Sequence, residues 1–395
     1  MSSLFGTSTF AQDDPKVSVA PRFSGDIRLR YQSLIRDDFV EDAEVLTMRF
    51  RGGLEVDLFE KTSVLIEIEG AQAIVDDYND GTGNRPFFPV VPDPEGVALN
   101  RLQVISEIIP KTRITAGRQK LALDDWRFIG AFPFRQNDQT IDALRFETTA
   151  IGPGILDIGY FNKVHRPLGP DNVGGVFKGD SFFLNYNLAT VIGRVSAFHY
   201  ATELETGPSG PLRHIRSSQT TGIRVIGRHD SDPISFVWQG SYARQSDYSD
   251  NPNNYSTDYG LAELSLKPAE FTLKVRAEKL GSDNGISLQT PLASLHSFQG
   301  FADQFLQTPP DGVRDYSVLL QYNFGSLGPL TDIKSFVRHH WFQADTDGRD
   351  YGREVNLSLK ARINKVGLAL EYADYQASTF SSDNKALFLT TEFSF

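Results

Sequence analysis

Four arginines recur at two-residue spacing near the start of the chain: Arg28 and Arg30, then Arg49 and Arg51. On β-strands, residues two apart point to one face. Facing water in a narrow passage with low-dielectric walls, such a cluster attracts anions. Asp26, Glu55, Asp57, Glu67 and Glu69 alternate in phase with them. Those carboxylates offer the other use of the same arginines, cross-strand pairs that stiffen a wall. Both uses stay open, because a paired arginine that faces water can still bind a passing carboxylate. Arg145 and Arg338 sit on further alternating segments, and Arg101 on the strand expected at 97–109, whose alternation is poor. Arg118, Arg127 and Arg135 lie in or beside an aromatic-rich stretch and are candidate solute contacts. These ten arginines form the candidate substrate path.

Catalysis has much weaker support. Ser294, His296 and Ser297 crowd together, but a triad needs a nucleophile, a base and an orienting acid brought together in space. No strand offers such a set, and no catalytic residue is expected. His339 and His340 are adjacent, so on a strand they point to opposite faces. The oxygen-rich stretch from Asp247 to Asp258 lacks the register of a calcium-binding EF-hand loop. No metal site and no cofactor are expected.

The chain has 395 residues, no cysteine, 39 basic and 50 acidic residues, and a net charge of −11. That balance argues against a nucleic-acid partner. Aromatic content is 12 %, with 29 Phe and 14 Tyr. No apolar run reaches the ~18 residues of a membrane-spanning helix. Met1–Phe10 is too short and too polar for a complete signal peptide, although Thr9-Phe10-Ala11 resembles the end of one. Residues 1–21 are set apart as a signal-peptide remnant, cleaved after Ala11, or as a flexible tail. Residues 22–395 form one unit.

The elements that must position these side chains are strands. At the C-terminus Leu387, Leu389, Thr391, Phe393 and Phe395 share one face, opposite Thr390, Glu392 and Ser394. Near the N-terminus Phe23, Ile27, Leu29 and Tyr31 alternate with Arg22, Ser24, Asp26, Arg28 and Arg30. About eighteen such segments follow one another, each close to the ~10 residues that a tilted spanning strand needs. Gaps between them alternate, long then short, along the whole chain. An oily face opposite a charged one, hairpins with short turns on one side and long loops on the other, and a terminal aromatic all describe an outer-membrane β-barrel. The expected fold is therefore all-β: a transmembrane antiparallel barrel of about 18 strands with short periplasmic turns and long extracellular loops. Outward Tyr and Trp near strand ends would form interfacial girdles.

Two long loops stand out. The stretch 121–139 carries Trp126, Phe128, Phe132 and Phe134, too apolar for a freely solvated loop. It is expected to fold inward as a constriction; the alternative is an external loop packing its own aromatics. In 281–313, Leu292, Leu295, Phe298, Phe301, Phe305 and Leu306 recur at three- and four-residue spacing, which predicts a short amphipathic helix between Pro291 and Pro309.

The order Gly117-Arg118-Gln119, Arg127-Phe128, Gly130, Thr140, Asp142-Ala143-Leu144-Arg145 resembles the alginate-export family of outer-membrane barrels. So does the run Thr290-Pro291-Leu292-Ala293, Leu295-His296, Phe298-Gln299-Gly300, Ala302-Asp303, Phe305-Leu306, Thr308-Pro309-Pro310, Gly312, Arg314-Asp315. The resemblance covers roughly 22–395. It implies an eighteen-stranded outer-membrane barrel passing an anionic, often carbohydrate, solute, with no catalysis and no cofactor, and it leans to a monomer. The mixed charge of the inferred lumen departs from that family's strongly basic pore. The expectation is thus a porin in the bacterial outer membrane for passive, selective diffusion of small anionic solutes, organic acids or acidic sugars. Export of an acidic polysaccharide such as alginate is the first alternative, and a barrel-bound hydrolase the second. Expected partners are the solutes themselves, outer-membrane lipid and lipopolysaccharide, and the barrel-assembly machinery through Phe395, with no nucleic acid.

Overall fold

Alternating apolar and polar residues make each strand two-faced, and a sheet of two-faced strands buries its edges only by closing on itself. The computed structural model describes residues 20–172, 174–206 and 213–395; the leader-or-tail reading of residues 1–19 lies outside them. The strands are β1 (Arg22–Arg36), β2 (Ala43–Phe59), β3 (Thr62–Asp77), β4 (Gly96–Ser106), β5 (Thr112–Gln119), β6 (Thr140–Thr148) and β7 (Ile155–His165). They continue with β8 (Val176–Thr190), β9 (Gly193–Thr202), β10 (Ser218–His229), β11 (Ile234–Asp247), β12 (Ser256–Pro268) and β13 (Phe271–Leu280). After a two-residue ladder inside a loop, β14 (Ser282–Asp283) with β15 (Ile286–Ser287), come β16 (Val313–Leu327), β17 (Leu330–Gln343), β18 (Asp350–Ile363), β19 (Val366–Ala377) and β20 (Asn384–Ser394).

Apart from β14 and β15, each strand pairs antiparallel with its neighbours in sequence, giving one 18-stranded sheet. The ring closes where β1 meets β20, with Ile27 opposite Phe393 and Arg28 opposite Glu392. Phe395 completes the closure: its N–H donates to Gly25 O and accepts the Gly25 N–H in return through its own carbonyl, both at 3.0 Å. The expected all-β barrel of eighteen strands is the observed fold. Strand β4 stops at Ser106. Lys111, at φ 61°, turns the chain there.

Burial is inverted relative to a water-soluble domain. Ile27, Leu29, Phe50, Ile66, Ile68, Leu102 and Val104 are exposed on the outer face, whereas Arg30, Arg49, Glu67, Glu69 and Asn185 are buried inside. Among the described residues, no helix is long and apolar enough to cross a membrane. Gly117 shows how closely the strands approach: at φ +112° an added Cβ would lie 2.3 Å from the Leu102 carbonyl oxygen.

The short turns gather at one rim and the long loops at the other. Two loops, here L3 (120–139) and L7 (281–312), fold back into the barrel, and their side chains supply much of its apolar interior. The expected helix in L7 is absent. Only a single 3-10 turn forms, Leu295–Ser297. Gln299 (φ 38°), Gly300 (φ 85°) and Asp303 (φ 58°) break the helical path. The loop's apolar residues instead meet L3 and the barrel wall.

Candidate constriction site

L3 leaves β5 and crosses the lumen, held at both sides. Near β1 and β2, Arg28 donates to the backbone carbonyls of Pro133 (3.0 Å), Phe134 (3.3 Å) and Arg135 (3.1 Å). Arg30 donates to the Phe134 carbonyl and pairs with Asp93 of the preceding long loop. Gln136 reaches Thr47 Oγ1 at 2.7 Å. Asp138 lies between Arg51 (2.9 Å) and Lys120 (2.5 Å). Burial alone would raise the Asp138 carboxyl; Lys120 and Arg51 overcome it and hold the group below the usual range. On the far side Asp125 meets Arg224 at 3.0 Å and Asp124 accepts from Asn185 at 2.6 Å. There Phe128 inserts its ring among Phe198 (5.5 Å), Tyr200 (6.1 Å) and Tyr259 (5.3 Å). A small cleft at this contact is lined by Asp124, Arg127, Arg224, Ser241 and the same aromatic rings.

L7 comes in from the opposite wall and locks onto L3. The Gly130 N–H donates to Leu292 O (2.9 Å), the Ser294 N–H to Trp126 O (3.1 Å), and the Phe132 N–H to Ser294 Oγ (3.1 Å). Arg135 pairs with Asp303 (2.7 Å), which also faces His296 Nδ1 (2.9 Å). The His296 ring stacks on Phe134 with centroids 3.4 Å apart. Burial pushes the Asp303 carboxyl up, but His296 and Arg135 together bring it below the ordinary aspartate value. L7 is pinned to its own wall by Glu354, which accepts the Ala302 N–H at 2.9 Å, and by Asn384, which donates to Ala302 O at 2.7 Å. A Cβ on Gly300 would meet the Glu354 carboxylate at 2.3 Å, so glycine is required at this approach.

The ten candidate arginines divide by what they touch. Arg28, Arg30 and Arg51 tie the β1–β2 wall to L3, and Arg28 also reaches Glu392 at 2.6 Å. Arg49 is fully buried and faces Asp26, with Glu392 at 3.5 Å. Arg51 bonds Asp26 and Glu69 as well as Asp138. Arg101 pairs with Glu67, and Arg145 with Asp157 (2.7 Å) and Glu147 (2.9 Å). Arg127 meets Glu278 at 3.0 Å and lies 4.5 Å over Phe298. Arg118 departs from the expectation of a lumen contact. It stands opposite Leu102 in the ladder, on the face that Leu102 and Val104 expose, and pairs with Asp142 at 2.9 Å. Its strand phase, set by Thr115 and Gln119 pointing inward, carries it outward.

Arg338 is different. Among the described residues it makes no ion pair, its Nε is buried without a hydrogen-bond partner, and its guanidinium lies 5.7 Å over the Phe336 ring. Nearby, Lys274 and Arg276 share Glu263, at 2.7 and 3.4 Å. Two loop carboxylates that define the constriction, Asp93 and Asp303, were not singled out from sequence. A carboxylate in a long loop has no strand phase to say which way it points.

The serine–histidine crowd of L7 does not assemble into a triad. Ser294 Oγ takes the Phe132 N–H, and His296 Nε2 has no hydrogen-bond partner. Among the described residues, the group close enough to share a metal ion is Glu203, Glu205 and His214, where Arg213 already pairs with Glu205.

No protein-family model and no curated protein matches the sequence. Solved structures do match. OccAB4 of Acinetobacter baumannii superposes with a TM-score of 0.71 at 11 % identity, over 95 % of this chain and 98 % of that one. OpdQ of Pseudomonas aeruginosa gives 0.70 at 13 %, and OpdL of Pseudomonas aeruginosa 0.69 at 14 %, both over 95 % and 98 %. These are substrate-specific outer-membrane porins of the Occ and Opd group, and they overturn the expected membership of the alginate-export family. The two quoted runs misled because their residues serve the turn into L3 and the L3–L7 contact, packing tasks that a different barrel can share. At this identity the likeness is one of fold: a closed eighteen-stranded barrel over its whole length.

Proposed function

We propose that the protein is an outer-membrane channel through which small anionic solutes, organic acids or acidic sugars, diffuse passively and selectively. The observation that carries this reading is the position of L3 and L7. They meet inside a closed barrel with polar inner walls, and their junction is ringed by arginines. Solute entering from the long-loop side meets that junction first, then the wall that bears Arg338, Lys274 and Arg276. Arg338 is the cation best placed to hold a carboxylate, since among the described residues no carboxylate pairs with it directly. The paired arginines keep L3 in place. Binding must stay weak for a channel to release what it takes up.

The chain is further read as a monomer set in lipopolysaccharide and lipid, with Phe395 as the terminal residue that the assembly machinery handles. Uptake into proteoliposomes tests the solute class. Small mono- and dicarboxylates should enter faster than neutral sugars or amines of equal size. Equal rates for all three would remove the anion preference and leave a size-selective pore.

A further inference from the structure

The short-turn rim is not uniform. Between β4 and β5 it exposes Ile108 (61 %) and Ile109 (53 %), between β6 and β7 Ile151 (58 %), and between β8 and β9 Val191 (105 %) and Ile192 (56 %). The last two turns, 149–154 and 191–192, contain no charged residue. Across the ring the β10–β11 turn is His229-Asp230-Ser231-Asp232-Pro233, the β12–β13 turn ends on Glu270, and the β18–β19 turn is Asn364-Lys365. The β16–β17 turn on that side carries one apolar tip, Leu327, flanked by Ser326 and Gly328. A turn that ends in water has no use for a row of exposed isoleucine and valine, and water penalises their exposure.

We propose that this arc of turns is immersed in the inner leaflet of the membrane that the barrel spans, so that the barrel sits tilted with its β4–β9 side deeper. The inference rests on the membrane reading above. Its support is continuity with the lipid-facing belt. On this side the outward row Leu102 and Val104 of β4, Ile155 of β7 and Leu184 of β8 runs into the apolar turns, with Glu107, paired with Arg113, and Lys111 as the charged residues of the β4–β5 turn. On the opposite side the outward belt is apolar as well, but the turns it runs into carry charge: Asp230, paired in the open with Arg228, and Asp232 between β10 and β11, Glu270 between β12 and β13, and Lys365 between β18 and β19. Lys111, beside Ile109, can snorkel its ammonium to the headgroups. The arc therefore has the composition of an interface-seated surface, and the far rim that of a water-facing one.

The chain has no cysteine, so single-cysteine variants need no background removal. I151C and V191C on the arc, S231C across the ring and L102C in the belt would each carry an environment-sensitive fluorophore. The folded protein would be reconstituted with and without nitroxide-labelled acyl chains. Quenching at positions 151 and 191 should approach that at 102 and exceed that at 231 severalfold. Quenching at 102 with aqueous behaviour at 151, 191 and 231 alike would overturn the tilt and leave the membrane reading standing. No quenching at 102 would overturn the membrane reading itself, and the tilt with it. A probe at 151 or 191 that is shielded from water but not quenched, together with I151C disulfide dimers, would assign the arc to a second copy of the chain and overturn the lipid assignment.

Discussion

Arg49 and Arg338 occupy the same inner surface and do opposite things. Arg49 is sealed against Asp26, which it shares with Arg51. Removing one partner of a buried ion pair leaves an uncompensated charge and costs about 3–5 kcal/mol. D26N should therefore lower the denaturant midpoint of the reconstituted barrel by an amount of that order, read from its heat-modifiable migration on gels. An unchanged midpoint would mean that Glu392 alone suffices for Arg49. Arg338 has no such partner, so R338Q should leave the midpoint unchanged and act on permeation. A unit charge at contact distance in water is worth about 1 kcal/mol, so carboxylate block should weaken roughly fivefold. Residue identities and strand phase made both arginines legible as inward-pointing in the sequence. Asp26 was legible as a partner for Arg49 from the neighbouring strand, whereas the partners of Arg30 and Arg135 were not, because Asp93 and Asp303 sit in long loops far away in sequence.

The contact between L3 and L7, a latch, is the element that sets the constriction of the proposed channel. Its polar core is Asp303 between Arg135 and His296. A hydrogen bond to a charged group contributes about 1.5–3 kcal/mol. D303N should thus raise the open-to-closed ratio of single channels at least about tenfold, seen as larger and noisier current; wild-type current would mean that the Leu292 and Ser294 backbone contacts hold the latch unaided. The sign of the pH effect follows from the depressed Asp303 carboxyl. A lowered carboxylate contributes stability that is present above the unfolded value, about 3.9, and is lost as pH falls through the folded one. The difference between wild type and D303N should therefore be the same at pH 7 and pH 5 and shrink only below about pH 4. A difference that already vanished at pH 5 would place the latch on another group. The inward fold of L3 was readable from its aromatics, which a solvated loop would not carry. The helix expected in L7 was not formed. Three- and four-residue apolar spacing serves equally well for an irregular loop that packs on two sides, and its backbone bonds go to L3 rather than to itself.

Over the whole molecule, period-two alternation and the regular exchange of long and short gaps were enough to give strand number, pairing and closure. Eighteen antiparallel ladders follow from them, and Phe395, just past β20, meets Gly25 of β1. The kinship was not readable in the same way, since a barrel of this kind constrains periodicity more than it constrains residue identity, and relatives in fold share 11–14 % of their residues. The central claim is a passive channel that prefers anions because its constriction and inner wall carry arginine. Reversal potential in a planar bilayer under a KCl gradient tests it most directly. The account predicts a reversal potential displaced toward that of chloride, with the displacement reduced in R338Q. A displacement toward potassium would contradict it, and would mean that the carboxylates of the wall, rather than its arginines, set the charge that a passing ion meets.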